Sequence, residues 1–300
     1  MRYLCPEPLT AGDTIGLVTP SSPMMPGRLE AGISYLEQKG FRTKVGRHVH
    51  DANRFMAGTD EDRAQDIMDF FLDSSVKAIM ATGGGYGSQR ILPSLDFDVI
   101  RKNPKWVTGF SDTTALQAGL LKRAGVVSCT GFVFRDLDNP PVDSLIAKTL
   151  MACLSGKSYQ IEEGVSLRSG TVKGPLIGGN LACISVLMGT PFQPNFKNSI
   201  LLLEEVWSEP YKIDSMLSQL ELAGVFSQIS GLIFGQFERC DAQHFPDRDG
   251  TVNDIINEWS NRISVPCIKE FPYGHGDRRC VLPIGKEVVL DAEIGTLTIL

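Results

Sequence analysis

The chain has 300 residues, of which 42% are hydrophobic and 21% charged, and its formal net charge is −6. That length buries a core large enough for one large domain or two ordinary ones. The acidic balance removes any general electrostatic attraction to nucleic acid or to an anionic membrane, so a small ligand is the expected partner.

The first residues, Met1-Arg2-Tyr3-Leu4-Cys5-Pro6, carry no apolar signal segment, and no run is long enough to span a membrane. Thr14–Thr19 reads as a strand and Arg28–Lys39 as a helix with Leu29, Ile33 and Leu36 on one face. Thr59-Asp60-Glu61-Asp62 has the form of a capping box opening a helix to about Leu72. Val76–Thr82 is a second strand and runs into Gly83-Gly84-Gly85-Tyr86-Gly87. A strand at Trp106–Phe110, a helix near Thr113–Arg123 and a strand at Val126–Thr130 follow. Strands alternating with helices imply right-handed crossovers, a mostly parallel sheet, and a site at the carboxyl ends of its strands.

Asp136-Leu137-Asp138-Asn139-Pro140-Pro141 reads as a linker, with a helix over Val142–Leu154 after it. The second half is more mixed. Its expected strands lie near Gly170–Ile177, Ser199–Val206, Gly231–Phe237 and Pro266–Phe271, and its helices near Leu181–Met188, Ile213–Leu222 and Val252–Ile263. The tail reads as a hairpin of Lys286–Leu290 and Thr296–Leu300. The expected fold class is therefore α/β: an N-terminal doubly wound, mostly parallel domain (1–135), a linker and connecting helix (136–165), and a smaller mixed α/β C-terminal domain (166–300). Seven cysteines, at 5, 129, 153, 183, 240, 267 and 280, lie singly, without the close pairs of a zinc or CxxC site. They are read as reduced thiols of a cytoplasmic protein that needs no metal.

Ser111, in Gly109-Phe110-Ser111-Asp112, stands where a strand gives way to a helix. A serine on such a turn can present its hydroxyl to a carbonyl while backbone N–H groups face the developing oxyanion; equally, it can cap the helix. The glycine run 83–87 can cradle an anion, form a tight turn or serve as an oxyanion loop. It matches neither GxGxxG nor GxxxxGK[ST]. A serine nucleophile needs a base and the base an orienting acid. His275 lies between Gly274 and Gly276 after a strand, whereas His48, His50 and His244 sit in polar loops. The acid can come from Glu204-Glu205 at the end of an apolar run, and alternation lets only one of the two face a given site.

Seven separated motifs occur in one order: Pro8-Leu9-Thr10-Ala11-Gly12-Asp13 leading to Pro20-Ser21-Ser22-Pro23, Ala57-Gly58-Thr59-Asp60, Gly84-Gly85-Tyr86-Gly87, Gly109-Phe110-Ser111-Asp112, Gly178-Gly179-Asn180-Leu181, Leu203-Glu204-Glu205 and Gly274-His275. In this the chain resembles the LD-carboxypeptidase family of serine peptidases, over nearly its whole length. The resemblance implies removal of a terminal D-alanine from murein tetrapeptides in cytoplasmic cell-wall recycling, with the immunity peptidases acting on peptidyl or aminoacyl nucleotides as the alternative branch. It implies a Ser111–His275–Glu204 triad, with Glu205 as the fallback acid, in an active site between two domains. It further implies an oxyanion hole of the Asp112 and Gly85 backbone N–H groups, substrate contacts at Gly84 and Tyr86, no cofactor, and a homodimer. Two departures bear on substrate preference: Gly83 stands where many members have arginine, and Ser215 follows Asp214 where arginine is common.

Overall fold

Every residue of Thr14–Val18 is buried, and this run forms the interior strand β1 in the computed structural model, which describes residues 3–25, 27–137 and 145–300. Further along come α1 (Leu29–Gln38), β2 (Arg42–Val45), α2 (Asp60–Leu72), β3 (Val76–Ala81), α3 (Ser88–Ile91), α4 (Phe97–Lys102), β4 (Trp106–Gly109), α5 (Thr114–Gly119), β5 (Ser128–Thr130) and α6 (Leu145–Leu154). The five strands pair in parallel in the order β2-β1-β3-β4-β5. The strand order reverses between β1 and β3, and crevices outside the carboxyl ends at such a point are where ligands bind in open α/β sheets. The residues after β1, β3 and β4 are Thr19–Ser22, Thr82–Gly87 and Phe110–Asp112.

The second unit, Ser158–Arg279 with Lys286–Leu300, contains β6 (Tyr159–Ile161), β7 (Val165–Arg168), β8 (Thr171–Asn180), α7 (Leu181–Val186), β9 (Ile200–Val206), α8 (Pro210–Leu222), β10 (Gly231–Glu238), α9 (Val252–Arg262) and β11 (Cys267–Lys269). β12 (Leu282–Ile284) belongs to the first unit, where it pairs antiparallel with β5. β13 (Glu287–Asp291) and β14 (Thr296–Ile299) close the second sheet as the expected antiparallel hairpin. That sheet runs β6-β14-β13-β8-β9-β10-β11-β7. Its parallel centre, β8-β9-β10-β11, is connected through α7, α8 and α9, and its flanks are antiparallel. The result is the expected α/β class, with a mixed second sheet.

Several details differ from expectation for physical reasons. Thr59 caps α2 by accepting from the Asp62 N–H, but the Asp62 carboxylate takes the Thr59 hydroxyl. A complete capping box forms instead at Thr251 and Asp254, at the start of α9. The helix expected over Thr113–Arg123 begins as a 3₁₀ turn at Ser111–Thr113 and ends as a π turn over Leu120–Ala124, stopped by Gly125 at φ +72°. The Val142–Leu154 helix is described from Leu145, and its first residues, like most of the proposed linker, lie outside the described residues. Cys129 of β5 and Cys153 of α6 are joined by a disulfide. This corrects the reading of all seven cysteines as thiols: a separation of 24 residues hid a contact that tertiary packing makes. Among the described residues, no helix is long and apolar enough to cross a membrane.

Candidate active site

Phe110 is fully extended, and Ser111, the first residue of the 3₁₀ turn, takes the left-handed region at φ +64°. A helix cap has extended dihedrals, so the backbone of Ser111 is not that of a cap. It has the left-handed strand-to-helix geometry on which α/β hydrolases carry their nucleophile. The local sequence explains the sharpness. A methyl at Gly109 would lie 2.2 Å from Thr113 Oγ1, and that hydroxyl donates to Phe110 O at 3.1 Å. Only a glycine lets the turn close on itself.

The glycine loop after β3 approaches this serine closely. A methyl on Gly84 would sit 3.0 Å from Ser111 Cβ and 3.4 Å from its Oγ. Gly85, at φ +115°, leaves no room for a side chain against Ser22 Oγ, which accepts from the Tyr86 N–H at 3.1 Å. Tyr86 itself is 45% exposed and meets Phe55 edge-on. The Asp112 carboxylate holds the three strand ends together. It accepts from Ser21 Oγ at 2.6 Å, from the Ser88 N–H at 2.8 Å and from the Gly87 N–H at 3.1 Å. Sequence reading assigned Asp112 a backbone role only. Its buried carboxylate also anchors the loop carrying Gly84 and Gly85.

In the second unit, β9 delivers adjacent carboxylates to opposite faces, as strand alternation requires. Glu204 is fully buried, and its Oε2 lies 2.7 Å from His275 Nδ1. Its Oε1 has no hydrogen-bond partner among the described residues. Glu205 points elsewhere: it accepts from the Ala182 N–H at 2.8 Å, at the start of α7, and from its neighbour's Val206 N–H at 3.0 Å. Burial raises its pKa, against the lowering effect of these bonds. Glu205→Gln is therefore expected to leave kcat within about 3-fold and to cost about 1–3 kcal/mol of stability, because an amide cannot accept both N–H groups as the carboxylate does. A raised folded-state pKa makes this carboxyl's contribution to stability fall as pH rises from the unfolded value through the folded one. The penalty measured by urea unfolding should accordingly be larger at pH 4 than at pH 7.

The loop bearing His275 is fixed by Gln236 of β10, a residue that no sequence signal marked. Gln236 N–H donates to Tyr273 O at 2.8 Å, its Nε2 donates to Arg278 O at 2.9 Å, and its Oε1 accepts from the Gly276 N–H at 3.1 Å. Methyls at Gly274 or Gly276 would collide with Gln236 at 2.7 Å, and one at Gly235 would collide with Tyr273 O at 2.2 Å. The glycines around His275 therefore serve the close approach of loop to strand. His275 retains 17% side-chain exposure.

Two other histidines have carboxylate partners of their own. His48 Nδ1 bonds Asp51 at 2.8 Å, which raises its pKa. With Asp51 and Asp62, His48 groups ligand-type atoms within 4.8 Å of one another, a cluster the sequence reading did not find. Its ring is already engaged by its own neighbours. His244 bonds the buried Glu209. At Gly83 an added Cβ would meet nothing within 4 Å, so packing does not exclude a larger residue there. Asp214 accepts from Trp259 Nε1 at 2.9 Å and ties α8 to α9, while Ser215 is exposed.

Comparison with known proteins gives a consistent assignment. Residues 15–131 match the model of the LD-carboxypeptidase N-terminal domain, and residues 173–290 match that of the LD-carboxypeptidase C-terminal domain. A Synechocystis sp. protein provisionally named a carboxypeptidase is 35% identical over 301 residues, covering 100% of this chain and 98% of its own. A Bacillus subtilis protein named as a probable murein peptide carboxypeptidase is 29% identical, covering 98% and 93%. The structure of MccF in complex with glutamyl sulfamoyl guanosine superposes with a TM-score of 0.90 at 26% identity, covering 98% of this chain and 97% of that one.

Proposed function

The chain belongs to the LD-carboxypeptidase family, and from that premise we propose that it is a serine carboxypeptidase that releases D-alanine from murein tetrapeptides, cleaving the amide between an L-centre and the terminal D-residue. The observation that carries this reading is the 2.7 Å bond between buried Glu204 and His275 Nδ1. A base whose Nδ1–H is held by a carboxylate keeps the tautomer that leaves Nε2 free to accept a proton. Ser111 supports the same chemistry through its left-handed turn.

In this mechanism His275 Nε2 takes the Ser111 proton as Oγ attacks the carbonyl, and Glu204 stabilises the imidazolium that forms. The oxyanion is received by the backbone N–H groups of Asp112 and Gly85, placed by the Asp112 carboxylate and Ser22. His275 returns the proton to the departing amine. D-alanine leaves, and water attacks the acyl-enzyme with His275 again as base. Gly84 and Tyr86 contact the peptide. A cytoplasmic role in murein recycling and a homodimeric assembly, both implied by the family resemblance, belong to the same proposal.

The likeness to MccF favours a second substrate class, an aminoacyl sulfamoyl nucleoside. Side-by-side assays of a defined murein tetrapeptide and an aminoacyl sulfamoyl adenosine separate the two. Stoichiometric D-alanine release from the first is the expected result, and hydrolysis of the second alone overturns the murein reading.

A further inference from the structure

Two non-glycine residues in left-handed conformation lie side by side at the carboxyl ends of β9 and β10. Val206 and Glu238 pair in register as the last residues of the two strands. The next residue on each is Trp207 at φ +62° and Arg239 at φ +54°. A bulky residue in this region is a conformational outlier that persists only where the surroundings over-determine it. Here they do. Trp207 N–H donates to Glu238 O at 3.1 Å. The buried Cys240 thiol contacts Glu205 O and Glu238 O. Gln243 N–H donates to Glu209 Oε2 at 2.9 Å, pinning the following loop to the start of α8.

These constraints hold up two side chains with little packing of their own. Trp207 is 69% exposed, whereas Trp106 and Trp259 are fully buried. The Arg239 guanidinium lies over the Trp207 ring, 5.7 Å from its centroid. Among the described residues, it makes no hydrogen bond or ion pair. An arginine laid on an aromatic face keeps its donor fork free in a plane, the geometry that grips a carboxylate with two parallel bonds. Glu204, on β9, lies three residues before Trp207, about 10 Å of extended chain. The Gln236 that holds the His275 loop lies three residues before Arg239.

The geometry points to a substrate subsite: Arg239, backed by Trp207, binds a carboxylate of the peptide that the Glu204–His275 pair processes. This rests on the carboxypeptidase reading for its substrate, but the strained pair stands independently of it. Holding two residues in left-handed conformation makes sense where the displayed side chains do something that glycine could not.

The test has two parts. With Ser111→Ala protein, which cannot turn over, intrinsic fluorescence is titrated with a peptide ending in D-alanine and with versions in which each carboxylate is amidated singly. The red-edge emission belongs to Trp207, so binding at this subsite quenches or shifts it, and Trp207→Phe removes the response. With otherwise wild-type enzyme, Arg239→Gln is expected to raise KM at least 10-fold with kcat within 3-fold, Arg239→Lys to restore part of the loss, and one particular amidation to stop mattering in Arg239→Gln. Trp207→Gly is expected to raise both KM and the thermal midpoint, a combination that a purely structural tryptophan would not give. If the wild type turns over the peptide, yet every amidation costs the same in Arg239→Gln as in wild type and Trp207 emission does not respond, the subsite is wrong while the function stands. If no preparation turns over the peptide, the carboxypeptidase reading fails. The titration still decides the subsite: a carboxylate-dependent response lost in Arg239→Gln supports it, and no response overturns it.

Discussion

Ser111→Ala is expected to lower kcat for D-alanine release by about 10⁶-fold, the scale seen when the nucleophile of a serine hydrolase triad is removed. What survives is the rate enhancement that the oxyanion donors and binding supply without a nucleophile. The alternative role for this serine makes the opposite prediction: loss of a helix cap costs about 1 kcal/mol of stability and leaves chemistry untouched. A third variant separates strain from chemistry. At φ +64° an alanine keeps the left-handed penalty that serine carries, whereas glycine does not. Ser111→Gly should therefore be as inactive as Ser111→Ala but more stable than it by about 1 kcal/mol. Urea unfolding of the two variants, beside a release assay, measures both quantities. Equal stability would mean that the turn relaxes on substitution, and retained turnover in either would remove Ser111 from the mechanism.

Much of the architecture is written in hydrophobic period. Val76–Ala81 and Ile200–Val206 are almost wholly buried runs, and such runs in a parallel sheet carry their signal in composition alone. Arg42–Val45 is the opposite case. It is polar and mostly exposed, and becomes a strand because β1 offers a free edge. Leu282-Pro283-Ile284 is too short and too proline-marked to read as a strand, and becomes one by pairing with β5. The candidate residues of the proposed site were legible where residue type limits chemistry: a serine after a strand, a histidine between glycines, a carboxylate pair at a strand end. Choosing between Glu204 and Glu205 was not, because alternation says that they diverge without saying which faces the histidine. The left-handed pair was invisible for a related reason. Sequence marks that conformation with glycine, and here it is occupied by Trp207 and Arg239.

Glu204→Gln should separate orientation from bulk packing. The substitution keeps the size and shape of the side chain in a fully buried position, so the fold has no cavity to accommodate. What changes is the bond to His275 Nδ1. A carboxylate can only accept, which fixes the proton on Nδ1 and leaves Nε2 as the base; an amide can turn its NH₂ toward Nδ1 and favour the tautomer with the proton on Nε2. The imidazolium that the proposed mechanism forms as Ser111 is deprotonated also loses its buried counter-charge. Both effects act in the transition state, so kcat should fall by about 10⁴-fold, with KM changed by less than about 3-fold. In the proposed mechanism His275 and Ser111 act as one unit, so Glu204→Gln combined with Ser111→Ala should be no slower than Ser111→Ala alone. The contrast with Glu205→Gln makes the result diagnostic, since the two carboxylates are adjacent and both buried, and differ in what they hold: a backbone turn in one case and His275 in the other. Equal losses of kcat in the two variants would mean that the pair acts through the strand end as a whole, and the assignment of Glu204 as the orienting acid would be withdrawn.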